Sequence, residues 1–176
     1  MKKLLFFAVL LLGFAACEDK EEVVAPNDKP QMTELEQTGY QMEVILKSYS
    51  DYDTARVGEF LSDKAWKMWS YLKYDSSWSD LLFDYYAFGK MNADGLSPDS
   101  YQLNPDGTGS HSHVVSSFEW TTDEGEWSFD PATKRLTLLD NNFYLEAVSP
   151  EVMVLQEVIE YLGAEPAYIR LVYIVQ

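Results

Sequence analysis

The sequence predicts a mainly β protein: a roughly eight-stranded antiparallel up-and-down barrel preceded by an N-terminal helix. Three observations carry this expectation. From residue 65 onward, apolar residues recur with period two, the spacing of a strand with one buried face. These runs are short, follow one another at roughly ten-residue intervals, and are separated by turns built on Pro, Gly and Asn. Aromatic residues make up 15% of the chain, and Tyr, Phe and Trp suit a pleated, half-buried surface. A run of this kind closes as a barrel or stacks as a sandwich, and a closed barrel removes both exposed edges. With 47% hydrophobic residues in 176, the chain can build one domain with a sizeable core and still carry appendages.

The first appendage is the N-terminus. Lys2 and Lys3 are followed by an apolar run from Leu4 to Leu12, then Gly13, then the small residues Ala15 and Ala16 before Cys17. That is the three-part layout of an export signal. The run is too short for a membrane span, which needs roughly 20 apolar residues. Cys17 is the only cysteine, so it cannot staple the fold by an intrachain disulfide. Phe14-Ala15-Ala16-Cys17 resembles a lipobox, with Phe at the usual Leu position. The resemblance implies that residues 1–16 are removed and that Cys17 is lipidated and left as the N-terminus; an ordinary export signal ending by chance in cysteine is the alternative. Acyl chains anchor a protein at about 0.8 kcal/mol per buried CH₂, so several chains on Cys17 would make a stable membrane partner. The cluster Glu18-Asp19-Lys20-Glu21-Glu22 resembles the lipoprotein export signal of Bacteroidetes, which implies the outer membrane and its outer face.

Residues 17–32 read as a flexible acidic tether, with Pro26 and Pro30 and a single apolar pair, Val23-Val24. About 15 such residues reach roughly 20 Å on average. The formal net charge of −16 repels phosphate backbones, so nucleic acid is excluded as a partner.

Residues 33–62 read as helical. Thr33-Glu34-Leu35-Glu36 has the form of a capping box, and Leu35, Met42, Ile45, Leu46 and Tyr49 recur at near-helical spacing. A helix is expected over 34–49, and a short second piece from Asp53 to Leu61. The apolar face of the first is expected to join the core or to lid the barrel.

Residues 63–176 read as the barrel. Ala65 to Asp75 carries apolar residues on both faces, as a buried strand would. Trp78 to Asn92, with Leu81, Leu82, Phe83, Tyr85, Tyr86 and Phe88, fits a strand, a helix or a lid loop equally, and turn material follows to Asp99. Tyr101-Gln102-Leu103 leads into Asn104-Pro105-Asp106-Gly107, where Pro105 presets φ and Gly107 takes the positive φ that closes a hairpin. Thr108 to Val115 returns. Phe118 and Trp120, then Trp127 and Phe129, alternate with polar residues. Asp130 to Lys134 turns into the strand Arg135 to Asp140, and Asn141-Asn142 is expected to turn the chain into Phe143 to Ser149. Glu151 to Val158 and Tyr168 to Val175 complete the set.

The order Tyr101-Gln102-Leu103-Asn104-Pro105-Asp106-Gly107-Thr108-Gly109, Phe118-Glu119-Trp120, Trp127-Ser128-Phe129, Leu136-Thr137-Leu138 and Tyr144 to Val148 resembles the lipocalin-like lipoproteins of Bacteroidetes, over about residues 60–176. The resemblance implies a calycin-type barrel. The family's G-x-W at the first strand is replaced by Lys64-Ala65-Trp66, so Trp66 is expected to plug the barrel base without its glycine.

The aromatics are the best lead to function. Trp66, Trp120, Trp127, Phe129 and Tyr144 are candidates to line the interior, where an eight-stranded barrel either fills with side chains or holds one small ligand. The expected partner is a small hydrophobic or glycan-derived molecule; the alternative is a filled barrel that contacts another envelope component. His111-Ser112-His113 places two imidazoles on one strand face, and with a carboxylate such as Glu119 they would approach a zinc set. A polar strand end beside a turn explains the pair more simply, so no metal, catalytic set or cofactor is expected. No Gly-rich phosphate loop or nucleophile–base arrangement is present in the sequence.

Overall fold

The computed structural model describes residues 32–84, 99–116 and 119–176, with 114–116 by backbone alone. Residues 1–31, which carry the expected signal, Cys17 and all of the expected tether but Met32, lie outside the described residues, as do Tyr85, Tyr86, Phe88, the expected turn residues 92–98 and Phe118.

Helix α1 spans Glu34–Tyr49 and begins with the expected capping box. The Thr33 hydroxyl accepts the Glu36 N–H at 3.2 Å, and the Glu36 carboxylate accepts the Thr33 N–H at 2.7 Å. The Thr33 N–H, and with it the Thr33 hydroxyl that donates to the same carboxylate at 2.9 Å, hold the Glu36 carboxyl below the usual carboxylate range. A 3₁₀ turn, Thr54–Arg56, runs into the short helix α2, Val57–Leu61.

The strands are β1 (Lys64–Tyr74), β2 (Leu81–Asp84), β3 (Ser100–Leu103), β4 (Thr108–Ser116), β5 (Glu119–Asp130), β6 (Arg135–Leu138), β7 (Asn141–Val148), β8 (Val152–Ile159) and β9 (Ala167–Val175). From β3 to β9 each strand pairs antiparallel with the next, and β1 pairs with both β3 and β9. Eight strands therefore close into a barrel. The edge of β1 facing away from β9 is shared: β3 takes its first part, Lys64↔Leu103 to Lys67↔Ser100, and β2 takes its end, Leu72↔Asp84 to Tyr74↔Leu81.

A bulge in β1 between Met68 and Ser70 explains why this segment is apolar on both faces. Before it, Trp66 and Met68 point into the barrel; after it, Leu72 and Tyr74 point out. The interior holds Trp66, Leu103, Leu136, Leu138, Leu145, Met153, Leu155, Ile169 and Tyr173, all buried. Outside, Met42, Ile45 and Leu46 of α1 cover Leu72, Ala147, Val154 and Val172. Helix α1 thus lies on the barrel wall and is no lid; the sheet offers it an outward apolar stripe on β1, β7, β8 and β9. The end closure falls to α2. Val57 and Leu61 are fully buried in the interior cluster, and Leu61 O accepts the Trp66 indole N–H at 2.9 Å. Trp66 therefore sits at the base, as its place in the first strand implied. Tyr52 adds to this end by donating to Leu145 O at 2.6 Å.

The Asn104–Gly107 hairpin forms as expected, with Gly107 at φ 85° and its N–H donated to Asn104 O at 3.1 Å. The reversal between β6 and β7 is shifted. Asn141 and Asn142 belong to β7 and pair with Leu138 and Thr137, and the turn is made two residues earlier by Leu139, at φ 54°, and Asp140. Among the described residues no helix is long and apolar enough to cross a membrane.

Candidate functional site

Strand parity sorts the five candidate aromatics. In β5 the odd-numbered residues face inward, so Trp127 and Phe129 pack against the interior cluster. The Trp127 indole N–H is held by Asn104 O at 2.8 Å, which locks the ring to the hairpin. Trp120 lies seven residues before Trp127 on the same strand and so falls on the opposite face, 46% exposed. Tyr144 sits between the buried Phe143 and Leu145 of β7 and is 42% exposed. Neither Trp120 nor Tyr144 lines the interior. Trp66 does, but as packed base rather than as the wall of an open space.

The interior changes character away from the base. On β4, Gly109 faces Gly125 of β5, and Leu139 folds over Gly125 so closely that a β-carbon there would stand 2.9 Å from its Cγ. One layer further out, His111 pairs across the sheet with Asp123 on one side and with Tyr101 on the other. Partners directly opposite in an antiparallel ladder share a face. The rings are stacked: Tyr101 on His111 at 4.2 Å and 8°, and His111 on His113 at 4.6 Å and 28°. Asp99 stands 3.8 Å from His111 Nε2, and Asp123 stands 3.7 Å from His113 Nδ1. Both of these ring nitrogens are buried and have no hydrogen-bond partner among the described residues. Carboxylate and imidazole groups thus converge here without closing a hydrogen-bond network.

Glu157 of β8 belongs to the same end. It has the inward parity of Met153 and Leu155, and burial pushes its carboxyl above the usual range. Tyr101 is pushed up as well, first by burial and then by the nearby charges of Asp99 and Glu157. Because the folded state holds the Glu157 proton more tightly than the unfolded chain, its contribution is fully present below the ordinary Glu range and is lost as pH rises through the elevated value. Glu157→Gln should therefore raise the melting temperature at neutral pH and leave it unchanged in acid below the ordinary carboxylate range. Thermal melts across pH check this; an unchanged neutral-pH melting point would mean that water reaches the carboxylate freely.

Sequence reading found the histidine pair but gave it Glu119 as the neighbouring carboxylate. The structure brings Asp123 instead, because the β4–β5 register sets Asp123 opposite His111. Asp123 shares parity with Trp127, and that signal was present in the sequence. Tyr101, Asp99 and Glu157 come from β1's neighbour and from β8, and only the closed sheet assembles them.

A second polar centre lies outside the barrel. Arg170 of β9 reaches past β8 to Glu146 of β7 with two hydrogen bonds of 2.7 Å, and its guanidinium lies over Tyr74 at 4.3 Å and Trp78 at 5.3 Å. Its Nη1 also donates to Trp78 O at 3.3 Å. Arg170 borders a groove of about 430 Å³ between α1 and the segment 78–81. No protein-family model and no curated protein matches the chain.

Proposed function

We propose that this chain is a lipid-anchored, lipocalin-like lipoprotein of the bacterial outer membrane, held by Cys17, that binds a small ligand at the barrel end carrying Tyr101, His111 and His113. The observation that supports binding is the contrast within the barrel. The base is packed with Trp66 and aliphatic side chains and closed by α2, whereas the other end gathers stacked aromatic rings, carboxylates and buried imidazole nitrogens that have no hydrogen-bond partner among the described residues. Pockets that orient small ligands combine a ring surface with a few convergent polar groups. Of the two ligand classes expected, this favours a small polar, glycan-derived molecule over a long acyl chain, because the side chains at the base already occupy the depth a chain would need.

The test has two arms. In the full-length chain in detergent, Trp127 fluorescence should change saturably with members of a panel of oligosaccharides, bile acids and fatty acids, and His113→Ala should abolish the change. A flat response to the whole panel would remove the binding reading. In cells, Cys17→Ser should move the protein from the membrane to the soluble fraction or block its maturation; unaltered membrane association would remove the anchor.

One observation favours a second reading. Exposed apolar side chains lie on strands and loops of the far end: Leu82 and Phe83 on β2, Val158 on β8, and Tyr161 and Leu162 beyond it. A filled barrel that docks an envelope protein through them would leave the ligand panel silent and lose its partner on Leu162→Glu.

A further inference from the structure

We infer that His111, His113 and Asp123 form a binding site for one divalent transition-metal ion of the zinc type, with Asp99 beside it as a fourth donor. The inference rests on the assignment of this barrel end as the ligand end, and it names the occupant. One ring nitrogen each of His111 and His113 and a carboxylate oxygen of Asp123 all lie within 4.8 Å of one another. In a tetrahedral site with bonds of about 2.0–2.1 Å the donors stand about 3.3 Å apart, so modest side-chain rotations bring these three onto one ion.

The donor chemistry selects the metal. Two imidazoles and a carboxylate suit zinc, cobalt or nickel, whereas calcium and magnesium take oxygen sets. The backbone supplies the geometry. Residues two apart on a strand present both imidazoles to one face, the ladder sets Asp123 opposite His111, and the Tyr101 ring fixes the plane of the His111 ring. His111 Nε2, 3.8 Å from Asp99, and His113 Nδ1, 3.7 Å from Asp123, are buried without hydrogen-bond partners among the described residues. A polar atom left so costs about 1–3 kcal/mol, and a cation between them and Asp123 removes that cost from both. The field has the right sign: the chain carries −16, and Asp99 stands 3.8 Å from His111 Nε2. Three protein donors leave a coordination position for water, for Asp99 or for a ligand, which is how an ion here would serve binding.

The test uses the full-length chain in detergent, stripped with a chelator and titrated with Zn²⁺ by calorimetry and with Co²⁺ by visible absorption. The expected result is one ion per chain, a cobalt spectrum of tetrahedral intensity, and binding at least tenfold weaker in His113→Ala and in Asp123→Asn, with unchanged circular dichroism. Should either variant fail to fold, nitrogen chemical shifts of the wild-type imidazoles decide: both rings respond to one equivalent of Zn²⁺, or the inference falls. It also falls if no saturable binding is seen, if the variants bind as tightly as wild type because scattered surface carboxylates hold the ion, or if the rings are instead protonated and paired with Asp99 and Asp123 without taking metal. The two proposals part cleanly. A panel response that persists in metal-free protein, with no Zn²⁺ binding, leaves the binding reading standing and ends this one; Zn²⁺ binding as expected with a silent panel does the opposite.

Discussion

Arg170→Leu should destabilise the protein by about 3–5 kcal/mol, the cost of stranding one member of a buried ion pair. The guanidinium and the Glu146 carboxylate have side-chain exposures of only 8% and 16% and meet through two short parallel bonds. Removing Arg170 leaves Glu146 shielded from water by the sheet and by the segment carrying Trp78. It also removes the cation between the Tyr74 and Trp78 rings, and with it the hydrogen bond that ties Trp78 O to the barrel wall. Glu146→Gln should cost less, since an amide is cheaper to bury unpaired than an ion is. The double variant Glu146→Leu/Arg170→Met should regain most of the loss, because the penalty belongs to the unpaired charge rather than to the absence of a bond. Urea unfolding monitored by tryptophan fluorescence measures all three. A loss below about 1 kcal/mol for Arg170→Leu would place the pair with weak, solvent-screened surface bridges.

Trp66→Ala should cost a similar amount, about 3–5 kcal/mol, by a different mechanism. Trp66 is among the largest fully buried side chains, and it meets Leu61 from the capping helix α2. Truncation opens a cavity at the base and leaves Leu61 O without its donor. Trp66→Phe separates these effects: it keeps most of the volume, loses the indole N–H, and should cost about 1–3 kcal/mol for the unsatisfied carbonyl. Unfolding free energies give the totals, and amide exchange in residues 57–61 should quicken in both variants, because both free the cap. If Trp66→Phe were as damaging as Trp66→Ala, shape rather than hydrogen bonding would dominate at the base.

Much of the fold was legible in the chain because local chemistry decided it. The Thr33–Glu36 box fixes where α1 starts, and the Asn104–Gly107 turn needs only Pro105 and a residue free to take positive φ. The candidate aromatics were harder, because density says nothing about facing. Trp120 and Trp127 are an odd number of residues apart on one unbroken strand, and counting that interval separates them. In β1 the same count fails, since the bulge after Met68 reverses the parity and periodicity does not reveal it. The site was half legible. His111 and His113 announce themselves by spacing, but Asp123 joins them only through the β4–β5 pairing, and Glu157 through a strand far along the chain. Leu139 was misread for a related reason: an aliphatic residue at positive φ gives no turn signal, and the asparagines after it gave a false one.

The seam between β1 and β9 has a consequence for the order of assembly. The rungs from β3 to β9 join strands that follow one another, so each can form as soon as its hairpin exists, and β1 meets β3 with only β2 between them in sequence. The last joint unites a strand beginning at Lys64 with one ending at Val175. Closing so long a loop carries the largest entropic penalty in the topology, and non-local pairings of this sort slow folding. Until that joint is made, two unpaired edges stand open, and the folding chain must keep them from neighbouring chains.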